Sequence, residues 1–168
     1  ITCAGATHSR RQVAMHVTVT LAGLQRHRVL VVGPAYPQAL ACLDRFFEVD
    51  LHSHSTLLEG AELALRLAGK SALMATRTGA IDGRLLAVLP HLKVVSKMVP
   101  AHAEVDLAAC TRASVIVTNT PDLGDDASAR RQMALLAAEN LIAAFGFGRG
   151  AHPQDLLNPE LRCLLGCC

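Results

Sequence analysis

The chain has 168 residues, enough for one compact domain and too few for two ordinary ones. Hydrophobic residues make up 51% of it but aromatic residues only 3%, so a core must be built from Ala, Leu and Val, which suits a helix-covered parallel sheet better than an aromatic-rich all-β fold. A net charge of +2 without a basic run gives no ground for a nucleic-acid partner, and no apolar run approaches the length of a membrane span.

In chain order, Ser9-Arg10-Arg11-Gln12-Val13 precedes an apolar stretch reaching Leu24, a pattern similar to a twin-arginine export signal. His16, Thr18 and Thr20 dilute the stretch, and Gln25-Arg26-His27-Arg28 follows it where a small-residue cleavage site would stand. We read residues 1–27 as a poorly ordered leader with no part in the fold, and place the protein in the cytoplasm.

The regular pattern begins at Arg28. Val29 to Val32 reads as a buried strand closed by Gly33-Pro34, and Pro37 opens a helix over Gln38 to Phe47. Glu48 to Leu51 is a second strand, and Leu58 to Ala68 a helix ended by Gly69. Ala72 to Ala75 is a third strand, followed by a helix from Ile81 to Leu89 that Pro90 stops. Lys93 to Met98 is a fourth strand, Asp106 to Ala113 a helix capped by its aspartate, and Val115 to Thr118 a fifth strand. Such alternation through short connections predicts right-handed crossovers and an α/β fold: a flavodoxin-like, doubly wound, parallel five-stranded sheet.

An Ala/Leu-rich pattern over about 125–145 predicts a long C-terminal helix, opened by Asp125-Asp126 as caps and stopped at Gly146. Its apolar positions Met133, Leu135, Leu136, Leu141 and Phe145 need cover, from the sheet or from a second copy, and we expect self-association. Residues 162–168 form a Cys-bearing tail. The cysteines (Cys3, Cys42, Cys110, Cys163, Cys167 and Cys168) have irregular spacing with no C-x-x-C pair, so neither a zinc cluster nor a disulfide framework is signalled.

Ligands in such sheets bind beyond the carboxyl ends of the strands. Here those ends are Gly33 to Tyr36, Thr76 to Gly79, Ser96 to Ala103 and Asn119 to Asp122. Arg77 could meet a carboxylate there. His102 lies in the same region, and we weigh it as a bare exposed histidine. His52 and His54 share one strand face but lack an evident third ligand, so we read them as a solvated loop rather than a metal site. No phosphoacceptor acid ends the first strand, and Tyr36 and the phenylalanines suggest no stacking platform for bases or flavin.

Leu89-Pro90-His91-Leu92-Lys93-Val94-Val95-Ser96 resembles the LP-x-LK-x-[VI]-S run of the D-2-hydroxyacid dehydrogenases. Val105-Asp106-Leu107-Ala108-Ala109-Cys110 is similar to that family's [IV]DLAAC helix start, and Val115-Ile116-Val117-Thr118-Asn119-Thr120-Pro121 to its V-x-VTNTP turn. Residues from Ala129 to Ala144 resemble its last long helix, and Leu157-Asn158-Pro159-Glu160 its closing segment, so the resemblance covers about 28–161. It implies the substrate-binding domain of a glyoxylate, hydroxypyruvate or 2-ketogluconate reductase-like enzyme, with a small 2-oxo or 2-hydroxy acid as ligand and NAD(P)H as the family's cofactor.

The same resemblance implies a nucleotide-binding domain inserted after Pro121, carrying the G-x-G-x-x-G turn and the catalytic Arg, Glu and His. This sequence instead runs from Asp122 straight into the final helix and contains no G-x-G-x-x-G, so we expect no cofactor and no hydride transfer in this chain alone. At the family's glycine-containing substrate loop stand Pro100, Ala101, His102, Ala103 and Glu104: Pro100 has no N–H to donate, and Glu104 adds negative charge near an anion site. The candidate substrate contacts are Arg77, Ser96, Ala101, His102 and Asn119, with no catalytic, cofactor or metal residues. The alternative is a small-carboxylate binding or oligomerisation module of the same fold.

Overall fold

The computed structural model describes residues 26–98, 104–147 and 152–165. Ala101 and His102, most of the expected leader and residues 166–168 of the tail lie outside the described residues. Five strands alternate with helices: β1 (His27–Val32), α1 (Pro37–Asp44), β2 (Phe47–His52), α2 (Gly60–Leu67), β3 (Ala72–Ala75), α3 (Gly83–Ala87), β4 (Val94–Lys97), α4 (Leu107–Arg112), β5 (Ile116–Thr118) and α5 (Ala127–Ala144). A 3₁₀ helix follows at Pro159–Leu165.

All strand pairs are parallel, in the order β2-β1-β3-β4-β5. A parallel sheet is covered on both faces, which explains why Val29 to Val32, Ala72 to Ala75 and Val94 to Val95 are continuous apolar runs. Alternation sorts them between two cores. Leu30, Val32, Leu73, Ala75 and Val95 face α2, α3 and α4, whereas Val29, Val31, Ala72, Met74 and Val94 face α1 and α5.

The elements expected from sequence are all present, with tertiary contacts trimming three helices. Phe47 leaves the first helix because it pairs in register with His27 as the first residue of β2. Leu58 precedes α2 rather than starting it: its carbonyl accepts a hydrogen bond from Gly79 N at 2.8 Å. Ile81 forms an isolated parallel bridge with Val105, so α3 starts after Asp82, whose carboxylate accepts from Leu85 N at 2.9 Å. Asp106 and Asp126 cap α4 and α5 in the same way, as expected. Gly146 at φ +72° ends α5 with Phe147 N bonded back to Ile142 O, a helix stop and not a phosphate turn.

The sheet itself supplies the cover that α5 needs. Met133, Ala134, Ala137, Ala138 and Leu141 are buried against Val94 and Ile116, while Leu135, Leu136 and Phe145 are half-buried. Alanine at the contact lets the helix lie close to the strands. The four phenylalanines gather where α5 ends. Phe46 stacks on Phe147 (5.4 Å between ring centroids), Phe47 meets Phe145 edge-on (5.2 Å), and His27 lies 4.6 Å from Phe145.

The free edge of β5 is closed by the segment that precedes the 3₁₀ helix. Asn158, 2% exposed, accepts from Val117 N with Oδ1 (3.0 Å) and donates from Nδ2 to Val115 O (2.8 Å), so a side-chain amide takes the place of a neighbouring strand. Asn158→Ala strips partners from two buried backbone groups and should cost about 2–4 kcal/mol. Urea unfolding followed by circular dichroism would show this as a lowered midpoint at unchanged slope.

Candidate functional site

The carboxyl ends of β1 and β3 and the loop after β2 enclose a cavity of about 270 Å³, lined by Gly33, Pro34, His54, Thr56, Thr76 and Arg77, among others. Two glycines make this rim possible. Gly33 sits at φ +134°, and a Cβ there would come 2.5 Å from Thr76 Oγ1. At Gly79 a Cβ would lie 2.3 Å from Glu59 Cβ, so the loop carrying Arg77 docks directly on the residue before α2.

Arg77 is exposed and makes no ion pair among the described residues. Around it stand the hydroxyl-bearing residues Ser55, Thr56 and Thr76. A free guanidinium with neighbouring hydroxyls can bind a small carboxylate. Cys110, the one fully buried thiol among the described cysteines, is pushed up to about 11 by burial, with the charge of Asp106 adding to the effect. It is no nucleophile in this state.

The other expected contacts divide. Ser96 is fully buried and donates its hydroxyl to Ala137 O at 2.9 Å, so it fastens α5 to the sheet and does not face the cavity. Asn119 sits at the end of β5, 8% exposed, bonding through its backbone to Asp155 and Asn140. Its Oδ1 is buried without a hydrogen-bond partner among the described residues. It does not line the Arg77 cavity.

His52 corrects the reading of a solvated loop. It is the last residue of β2, 4% exposed, with its ring stacked on His54 at 4.9 Å. Neither ring nitrogen has a partner among the described residues, and no group of three metal-ligating side chains occurs among them. His54 itself lines the cavity, a role its position after an edge strand did not signal.

Sequence reasoning missed Lys97. This lysine ends β4 at 1% exposure, with Nζ 3.0 Å from Glu104 Oε2 and 3.3 Å from Thr78 Oγ1. Burial pulls its amine below the usual lysine range, and the hydrogen bond and charge of Glu104 oppose that shift. The charge of Glu104, read as a penalty beside an anion site, is therefore paired. The cluster ties the loop after β3, and so the neighbour of Arg77, to the segment entering α4. The signal available was a cation closing an apolar strand, which demands a partner.

The fold defines an open, doubly wound α/β domain whose candidate site is a crevice at the strand ends. The sequence profile described as "D-isomer specific 2-hydroxyacid dehydrogenase, catalytic domain" matches residues 29–153. A glyoxylate reductase of Aeropyrum pernix is 31% identical over 156 residues, covering 83% of this chain and 45% of that protein. A crystal structure from Polaromonas sp. JS6 66, described as a D-isomer specific 2-hydroxyacid dehydrogenase, NAD-binding, superposes with a TM-score of 0.53 at 25% identity over 58% of this chain and 31% of the other. The TT0316 protein of Thermus thermophilus gives 0.50 at 30% identity over 75% and 43%. The chain belongs to the D-isomer-specific 2-hydroxyacid dehydrogenases, and it spans less than half the length of the curated relatives it matches. No helix among the described residues is long and apolar enough to cross a membrane.

Glu104→Gln leaves a buried ammonium without its counter-charge and should destabilise by about 2–3 kcal/mol, below the range for a fully buried pair because Glu104 reaches solvent. Lys97→Met, which replaces the buried charge with an apolar chain of similar length, should cost less. Equilibrium unfolding of both variants in one buffer gives the order.

Proposed function

We propose that this chain is the substrate-binding part of a glyoxylate reductase-type D-2-hydroxyacid dehydrogenase, holding the carboxylate of a small 2-oxo or 2-hydroxy acid, and that it transfers no hydride by itself. The Arg77 guanidinium, without an ion-pair partner among the described residues, stands in a hydroxyl-lined crevice at the strand ends and carries the first half of this reading. The relatives' names supply the substrate class, since the curated proteins it matches are glyoxylate reductases.

The second half rests on the fit of a dinucleotide. Such a cofactor needs glycines whose open faces admit the pyrophosphate, followed by free N–H groups at a helix start. The glycines in the loops after β1 and β3 are filled, Gly33 by Thr76 and Gly79 by Glu59, and α1 starts with a proline that has no N–H. The described residues do not fit NAD(P)H, and we derive no step through it. Asn119 stays a candidate substrate contact at the carboxyl end of β5, and Ala101 and His102 stay candidates that lie outside the described residues. Self-association loses the support of an uncovered α5. What remains for it is the α2–α3 surface, where Leu65 and Val88 are 76% and 63% exposed.

Calorimetric titration with glyoxylate should give a saturable heat that Arg77→Gln weakens at least about tenfold. A flat titration with glyoxylate, glycerate and gluconate overturns carboxylate binding. Nucleotide fluorescence should show no NADH or NADPH binding, and oxidation of either by this chain with glyoxylate or hydroxypyruvate overturns the claim of inactivity.

A further inference from the structure

The amino ends of the strands carry a second cavity, of about 540 Å³. Arg26, His27 and Arg28 line it from the start of β1, Ser71 from the residue before β3, and His91 and Lys93 from the approach to β4. The six residues of β1 separate this end of the sheet from the Arg77 crevice by roughly 20 Å, at about 3.3 Å per residue.

The balance of charge here is one-sided. Among the described lining residues Glu48 is the sole carboxylate, and it is already 3.2 Å from the Arg28 guanidinium. Lys93 has no carboxylate partner among the described residues, and Arg26 donates to the backbone carbonyl of Asp44. Three cations against one carboxylate concentrate in this hollow a net charge as large as that of the whole chain, +2. A concave surface focuses such a field in a way that a convex, solvated face does not.

The floor is polar and built. Ser71 is 8% exposed, and its hydroxyl lies 3.3 Å from both His27 Nδ1 and Arg28 O. His27 is held below the usual histidine range mainly by burial, with the charge of Lys93 adding to the effect. Guanidinium forks suit oxyanions through paired N–H donors, and an ammonium adds a point charge beside them.

We propose that this amino-end pocket is a binding site for a phosphate-class oxyanion, the mono- or diphosphate group of a small molecule. It is separate from the carboxylate crevice and independent of the reading proposed for that crevice. Lys93 and Arg28 supply the charge that holds the anion, while Ser71 and the neutral His27 ring offer polar contacts at the floor.

Calorimetry of the whole chain with inorganic pyrophosphate and with inorganic phosphate, at physiological sodium chloride, tests this. The expected result is saturable binding, tighter for pyrophosphate, that Lys93→Gln and Arg28→Gln each weaken at least about tenfold and Arg77→Gln leaves unchanged. Both lysine and arginine positions are exposed, so the variants keep the fold, as far-ultraviolet circular dichroism will show. Heat with phosphate alone points to the free ion as ligand, and a clear preference for pyrophosphate to a phosphorylated molecule. Flat titrations, affinity unaltered in Lys93→Gln, or a loss that follows Arg77→Gln instead would overturn the proposal. None of these outcomes touches glyoxylate binding, which is read separately.

Discussion

A parallel sheet has two apolar faces, and neither can be left to water, because its strands are apolar along their whole length. In this chain α2, α3 and α4 cover one face, and α1 alone would leave much of the other bare. The 18-residue α5 supplies the missing cover. Its alanines lie on Val94 and Ile116, and the buried hydroxyl of Ser96 fixes its depth by donating to Ala137. The aromatic cluster at its end and the 3₁₀ helix carrying Leu161 complete the same core. Without that helix, β3, β4 and β5 would expose the apolar side that holds the strand ends, and hence the crevice, in place.

With the faces covered, the sheet still has an edge and a set of strand ends to control. Asn158 closes the β5 edge with a side-chain amide, and Leu157 N adds a backbone bond to Val117. At the strand ends, Lys97 ties Thr78 to Glu104. A buried ammonium is costly unless paired, so this contact has few alternatives, and it fixes the loop on which Arg77 stands. Arg77 itself is exposed and has no ion-pair partner among the described residues. One cation sits inside with its partners and the other faces solvent, a division decided by burial and partner rather than by residue type.

Most of the fold was legible because its signals are local. Apolar runs bounded by glycine and proline gave five strands, aspartates marked helix starts at Asp106 and Asp126, and Gly146 marked an end. What escaped was decided by partners distant in sequence. Leu58 looks helical until Gly79 binds its carbonyl, and Ile81 until it pairs with Val105. At the candidate site the same division holds. Arg77 could be found as a cation at a strand end, whereas Ser96 was misjudged because whether its hydroxyl faces the crevice or α5 depends on how that helix lies. Glu104 reads in sequence as negative charge beside an anion site because the burial of Lys97, its partner, is not visible in one dimension.

The filled glycines Gly33 and Gly79 set what the loops at the strand ends can admit. A glycine between strand and helix is useful to a pyrophosphate only when nothing else takes up the space that its missing side chain leaves. Here Thr76 and Glu59 take it up, and in doing so they bring the β1, β2 and β3 loops together around Arg77. Close loop packing and cofactor approach compete for the same volume. In this chain packing has won it, and the packed loops give the crevice its walls.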